Sequence, residues 1–346
     1  MKDATLMSNI LYFVSFHTLC ILSIVGSLII VLGPFLSPKF LGTFVTLPYL
    51  LYCGITRYEL SSKGASWPWF SQKFLLFSIL RRMMQLHFLQ FPENAHEQQY
   101  LFACHPHGVF ADYRFLMDGI FLEKLTTCRR NDNKNDMTNA KTNIAIQTLA
   151  ATVLFWIPFV REIALWTGCI DARRHVADAS LRAGNSIFVI PGGEAEQILT
   201  QHGREILYLR RRMGFLRLAM KHRIPVIPVY VFGASDYYHT NNHNFLLRQR
   251  MWLMKRLQIC IPMATGMYGS PFCPIPVKTT VVFGAPLSFD VPLATKTDDT
   301  NNDNKNNYPT DAQVQMAHDE YIKALTALFD QHKHELGYGE RTLEIE

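Results

Sequence analysis

Two uncharged runs at the start of the chain, followed by short apolar segments that alternate with helical patterns, divide the sequence into a membrane-seeking part and a globular part. From Ala4 to Pro38 no residue carries a formal charge, and Ile10 to Leu32 supplies the roughly 20 predominantly apolar residues that a helix needs to cross a bilayer. Gly33-Pro34 and Ser37-Pro38-Lys39 interrupt this run, and the next one, Phe40 to Ile55, is shorter and contains Pro48. The pattern predicts a tight membrane hairpin over residues 1–56 rather than two independent spans. Lys2 and Arg57 then share one side, which the positive-inside tendency makes cytosolic. A cleaved signal peptide is disfavoured, because the apolar region is too long and no small-residue cleavage site precedes the second run.

Trp67 to Phe91 interleaves aromatic and aliphatic residues with Lys73, Arg81 and Arg82. That mixture describes a segment lying in the headgroup layer, or a core helix with one basic face, and residues 57–92 are assigned to an interfacial segment. From 93 to 346 the strand candidates are Tyr100 to Cys104, Asn143 to Ile146, Ser186 to Ile190, Ile206 to Leu209, Val226 to Phe232 and Thr279 to Phe283. Between them lie helical patterns, notably Val109 to Leu125, and Asp311 to Glu335 is a docking helix opened by Pro309-Thr310 and closed by Gly337. Alternation of this kind predicts one α/β body, a sheet flanked by helices. Arg129 to Lys141 and Ala294 to Tyr308 are rich in Asn, Asp and Lys without apolar periodicity, and are expected to be solvated loops.

Composition sharpens this picture. Of 346 residues 49% are hydrophobic and only 18% charged, a low share for a wholly soluble surface. The formal charge of +6 suits an anionic partner, either lipid headgroups or a phosphorylated substrate, while no recognition motif accompanies it that would point to nucleic acid. Seven cysteines without a C-x-x-C pair argue against a disulfide framework and a zinc site. Nothing in the sequence marks an oligomeric state.

Candidate chemistry sits at two corners. The first strand runs into His105-Pro106-His107-Gly108, and a histidine just before a helix is kept neutral by the positive end of the macrodipole. His107 is therefore the candidate general base, with Asp112 placed to orient the other ring nitrogen. His105 and His107 lack a nearby third ligand, so no metal is expected. At the second corner, Pro191-Gly192-Gly193 leaves little steric bulk beside its N–H groups, which are placed to hold an oxyanion or a phosphate, and Glu196 is a candidate partner for His107. Arg173-Arg174 and the run Arg210 to Arg212 offer fork-shaped cations for phosphate, Arg173 ahead of the triplet.

Four segments in this order resemble the type-2 diacylglycerol acyltransferase family, which includes monoacylglycerol and wax-alcohol acyltransferases: His105 to Gly108, Pro191 to Glu196, Arg212 to Ala219 and Pro225 to Gly233. The likeness runs from about Phe91 to Gly337, although Gln90 replaces an aromatic residue of the family's Tyr-Phe-Pro element. It implies a glycerolipid-acyltransferase-like sheet behind an N-terminal membrane hairpin, in the endoplasmic reticulum membrane with the catalytic body facing the cytosol and with access to lipid droplets. The implied reaction moves an acyl group from acyl-CoA, a co-substrate with no further cofactor, to the free hydroxyl of 1,2-diacylglycerol. Monoacylglycerol or a long-chain alcohol is the alternative acceptor, and a non-catalytic lipid-binding scaffold the alternative of another class. By resemblance His105 and His107 are the catalytic histidines, Glu196 the motif acid and Glu194 a variable position. Gly108, Pro191, Gly192, Gly193, Gly214 and Phe215, with Arg173 and Arg174, are expected around the substrates. The His107-x4-Asp112 spacing is similar to that of glycerol-phosphate acyltransferases, but the acid is not general in the type-2 family. Thr148 to Leu165, unusually apolar around Pro158, is expected to be a bent core helix or the wall of an acyl-chain tunnel.

Overall fold

The computed structural model describes residues 2–132, 144–240, 244–257, 260–289 and 308–346. The uncharged N-terminal run is one helix, α1 (Lys2–Leu36), and Leu6–Leu36 is long and apolar enough to cross a membrane by length and composition. After Ser37 a π-helical segment (Pro38–Thr46) continues into α2 (Leu47–Thr56), and the Thr46 hydroxyl donates back to the Ile30 carbonyl at 3.0 Å. Among the described residues α1 alone passes the span criterion.

The first helix also packs on the body. Tyr12 is fully buried, the His17 ring meets the Ser270 hydroxyl at 2.8 Å, and the Ser27 hydroxyl donates to the Pro158 carbonyl at 2.6 Å. Next come α3 (Pro68–Lys73) and α4 (Leu75–Met83), where the two readings of Trp67 to Phe91 divide by face. Phe70, Phe77 and Leu80 are buried in the core, whereas Trp67, Trp69 and Leu75 are exposed. Arg81 is not a free headgroup ligand, because its guanidinium donates to the carbonyls of Ser71 and Gln72.

The central sheet comprises β1 (His87–Leu89), β2 (Leu101–His105), β3 (Ile146–Ala150), β4 (Cys169–Asp171), β5 (Ser186–Val189), β7 (Val226–Phe232) and β8 (Thr280–Phe283), while β6 (Glu205–Leu207) and β9 (Leu343–Ile345) pair separately. Its order is β1-β8-β7-β2-β5-β3-β4, parallel except for the β7–β8 pair. The remaining helices are α5 (Asp112–Asp132), α6 (Val160–Trp166), α7 (Arg174–Arg182), α8 (Gly193–Leu199), α9 (Gly214–His222), α10 (Leu247–Leu257) and α11 (Asp311–Lys333). Side chains alternate across the pleat. Phe102 and Cys104 face a core completed by Tyr113, Met117 and Phe121 of α5, while Leu101 and Ala103 face one completed by Leu216 and Ala219 of α9 and Tyr321 and Leu325 of α11. Both faces of the sheet are therefore covered, as parallel pairing requires.

The sheet begins at His87, inside the segment assigned to the interface, because Phe88 packs on Phe121 and Phe283. Thr148 to Leu165 is not one helix. The strand runs to Ala150, a short 3-10 segment covers Thr152–Trp156, and α6 starts only after Pro158, whose missing N–H cannot continue a helical ladder. The third strand begins at Ile146, not Asn143, which lies outside the described residues. Of the run Ile206 to Leu209, only Ile206 and Leu207 are strand, and they belong to the separate β6–β9 ladder. Helix α5 extends through Asp132 into the polar run expected to be a loop, and the rest of that run and nearly all of the second one lie outside the described residues.

Candidate active site

Parallel pairing of β2 with β5, with Ala103 opposite Val189, sends both strands out of the same sheet edge. The His105–Gly108 corner and the Pro191–Gly193 turn consequently meet, and the backbone N–H of His107 donates to Oε1 of Glu196, 89 residues away. Oε2 of Glu196 accepts the Tyr208 N–H at 2.9 Å. Burial pushes this fully enclosed carboxyl up to about 7, against the opposing pull of those two N–H groups and of Arg212. Gly192 makes the arrangement possible. A Cβ there would overlap the Glu196 carboxylate, so the missing side chain is the space the acid occupies. Gly193 follows in the left-handed region, at φ +54°.

The His107 ring is half-buried, and its Nδ1 lies 3.0 Å from the Gly108 carbonyl. A carbonyl only accepts, so Nδ1 carries the proton and Nε2 keeps the lone pair that a general base uses. Burial holds the ring below its ordinary pKa, opposed by that hydrogen bond. Gly108, at φ +66°, brings its carbonyl into place while its α-carbon passes the Ala234 carbonyl so closely that a Cβ would lie 3.1 Å from that oxygen.

Neither candidate acid bonds to the His107 ring. Glu196 is occupied by the two backbone N–H groups, and Asp112, the first residue of α5, turns its Oδ1 to the Tyr238 hydroxyl at 3.2 Å. The tautomer is set by Gly108, where the sequence had suggested a carboxylate. His105 is also placed differently from the expectation of a reacting histidine. As the last residue of β2 it is fully buried, its Nε2 lies 3.1 Å from the Tyr321 hydroxyl, and burial pushes it down to about 3. That hydroxyl donates to the Ala103 carbonyl, so His105 ties β2 to α11, and the Phe215 ring packs edge-on against Tyr321 at 5.0 Å.

A cavity of about 710 Å³ opens beside the second corner, with Pro191, Gly214 and Phe215 in its lining. Arg174, Arg211 and Arg212 contribute cationic side chains to it. Arg173 does not line it and is instead engaged by Asp171 at 3.0 Å, which corrects its ranking ahead of the triplet. The triplet itself separates by function. Arg210 donates to the Ile345 carbonyl, and Arg212 lies over the Tyr208 ring and donates to the Gly192 carbonyl at 3.3 Å. Arg211 has no hydrogen bond or ion pair among the described residues. Tyr208, Ala234 and Tyr238 went unnoticed in the sequence, since each acts through a backbone group or across a distant loop.

Comparisons to known proteins identify the family. The family described as diacylglycerol acyltransferase matches residues 43–346. Acyl-CoA wax alcohol acyltransferase 2 of Mus musculus is 31% identical over 254 residues, covering 70% of this chain and 68% of the relative. Diacylglycerol O-acyltransferase 2 of Dictyostelium discoideum is 28% identical over 68% of this chain and 67% of its own length. The Homo sapiens diacylglycerol O-acyltransferase 2 is 26% identical over 72% of this chain and 60% of its length. No solved structure matches. With its histidine corner and its glycine-seated acid in register across adjacent strands, and with the match spanning nearly all of the body, the chain belongs to the diacylglycerol acyltransferase family.

Proposed function

We propose that this protein transfers an acyl group from acyl-CoA to the free hydroxyl of 1,2-diacylglycerol, giving triacylglycerol, with His107 as the general base. The observation that carries the reading is the contact of His107 Nδ1 with the Gly108 carbonyl, which leaves Nε2 the lone pair, on a loop whose backbone is gripped by Glu196. Nε2 takes the hydroxyl proton as the oxygen attacks the thioester carbonyl. The tetrahedral intermediate then expels the CoA thiolate, which recovers the proton from the imidazolium, and no acyl-enzyme forms. Glu196 acts as a positioning residue through the His107 N–H. The cationic cavity beside Pro191 suits the phosphates of CoA.

The length and composition of α1 support a membrane enzyme, and the location we propose is the endoplasmic reticulum membrane, with the body on the cytosolic side and within reach of lipid droplets. Incubating the protein with labelled acyl-CoA and a panel of diacylglycerol, monoacylglycerol and long-chain alcohol tests the acceptor. Labelled triacylglycerol as the main product is the expected result, and wax ester as the main product overturns it in favour of the alcohol reading, which the likeness to wax alcohol acyltransferase 2 favours. Transfer to none of the three overturns the enzymatic reading.

The double variant Arg174→Ala/Arg211→Ala is expected to raise KM for acyl-CoA by about 10-fold, the scale of one charge-assisted contact, with a smaller change in kcat. Steady-state kinetics at two salt concentrations check this, since the difference from the wild type shrinks as salt rises.

A further inference from the structure

A second cavity, of about 350 Å³, lies between the membrane helix and the body. Its walls are almost wholly apolar: Phe16, Leu19 and Ile24 of α1 face Phe77 and Leu80 of α4 and Ile163 of α6. Ile24 and Phe272 at its rim are each about half exposed, so it opens onto the flank of α1. One lining residue breaks the pattern. Asp112 is 6% exposed, and while Oδ1 is held by Tyr238, its Oδ2 has no hydrogen-bond partner among the described residues.

A buried carboxyl oxygen without a partner costs free energy unless something arrives to pair it. An acid suits the first turn of α5, but that position does not require one carboxyl oxygen to stand unpaired among the apolar walls of a cavity. The single proton of the Tyr238 hydroxyl is shared between the Phe272 carbonyl at 2.7 Å and Oδ1 of Asp112 at 3.2 Å, so Oδ1 is held in place and Oδ2 is left over. The combination of apolar walls, one oriented polar group and an opening along a membrane helix is that of a site for a lipid with a small polar head. Asp112 opens the helix five positions after His107, and Phe110, between the two, also lines the cavity.

We infer that this cavity takes the acyl acceptor from the membrane, with the lipid's hydrocarbon against α1 and its free hydroxyl paired with Oδ2 of Asp112. Ionised, Oδ2 accepts from the hydroxyl, and protonated, it donates to it, so the contact survives either state. The inference rests on the acyltransferase reading for the word acceptor, but the binding itself is measurable without turnover. Acceptor and acyl-CoA then approach the corner from different sides, the first along α1 and the second by the cationic cavity near Pro191.

The test is competition for photolabelling of the full chain in neutral detergent micelles, using a diazirine-bearing long-chain alcohol as probe and mapping the labelled peptides. Long-chain alcohol or diacylglycerol is expected to displace the probe from α1 and α4 about tenfold better than the corresponding methyl ethers, the scale of one buried hydrogen bond. In Asp112→Leu this preference is expected to vanish while labelling persists, and the substitution should fold, since the new side chain matches the wall and the Tyr238 hydroxyl keeps the Phe272 carbonyl as acceptor. Cys20→Trp, which fills the cavity from α1, is expected to abolish labelling by every probe. Equal competition by ethers in the wild type, a preference retained in Asp112→Leu, or labelling undiminished in Cys20→Trp overturns the inference. Hydroxyl-selective labelling by a protein that transfers no acyl group would sink the acyltransferase reading and leave this site standing.

Discussion

Replacing His107 by alanine is expected to lower kcat for acyl transfer by about 10² to 10⁴, the range that general-base assistance contributes. The ring is partly exposed, and its one hydrogen bond among the described residues is to the neighbouring Gly108 carbonyl, so its removal leaves no distant partner there unpaired. Expression and thermal unfolding should therefore stay close to wild type while turnover collapses, which separates a chemical role from a structural one. Near-normal activity in this variant would remove the base from the mechanism. The pH profile adds a second readout. His107 is held below 6.5 by burial and is neutral at pH 7, whereas Glu196 ionises near 7. As pH falls through 7, Glu196 takes a proton and its grip on the two N–H groups weakens, so kcat/KM is expected to decline there. In Glu196→Gln that limb should disappear, leaving only the His107 limb below 6.5.

Gly192→Ala is expected to have the second large effect, and its sign is opposite to what the backbone alone suggests. Gly192 sits at φ −59°, ψ −41°, where alanine is comfortable and ordinarily stabilises by about 0.4–1 kcal/mol through the unfolded chain. Here the added methyl occupies the volume of the Glu196 carboxylate. Evicting that group leaves the N–H groups of His107 and Tyr208 without their acceptor, at about 1–3 kcal/mol each. Stability should fall by roughly 2–6 kcal/mol and activity with it. A double-mutant cycle with Glu196→Gly isolates the cause, because once the whole side chain is gone the alanine at 192 has lost every atom it would displace and should add little further loss. Fully additive losses would show that the methyl acts elsewhere.

How much of this was readable beforehand depends on the length and locality of each feature. The strands β2, β5, β7 and β8 announce themselves as apolar runs of four to seven residues, and the glycine-bearing corners at their ends mark where chemistry gathers. Strands β1, β4 and β9 have three residues each, too few for any period to emerge. The pairing of His107 with Glu196 was visible as two motifs, but not its form. Sequence suggested a carboxylate on the imidazole, whereas the acid holds the backbone and a carbonyl one residue away sets the tautomer. Arg173 and Arg211 look alike in a linear reading, and only the position of Asp171 neutralises the first and leaves the second to the cavity.

The β6–β9 ladder carries a temporal consequence. Glu346 N–H donates to the Leu207 carbonyl, and the Glu346 carbonyl accepts the Leu209 N–H, so the segment bearing Tyr208 is braced by residues that follow it by more than a hundred positions. During synthesis α1 leaves the ribosome before the sheet, and the strand that steadies the acid's second hydrogen bond leaves after the segment it pairs with. Contacts so far apart in the chain close late. The Tyr208 N–H that Glu196 accepts is thus braced only when this belated clasp shuts.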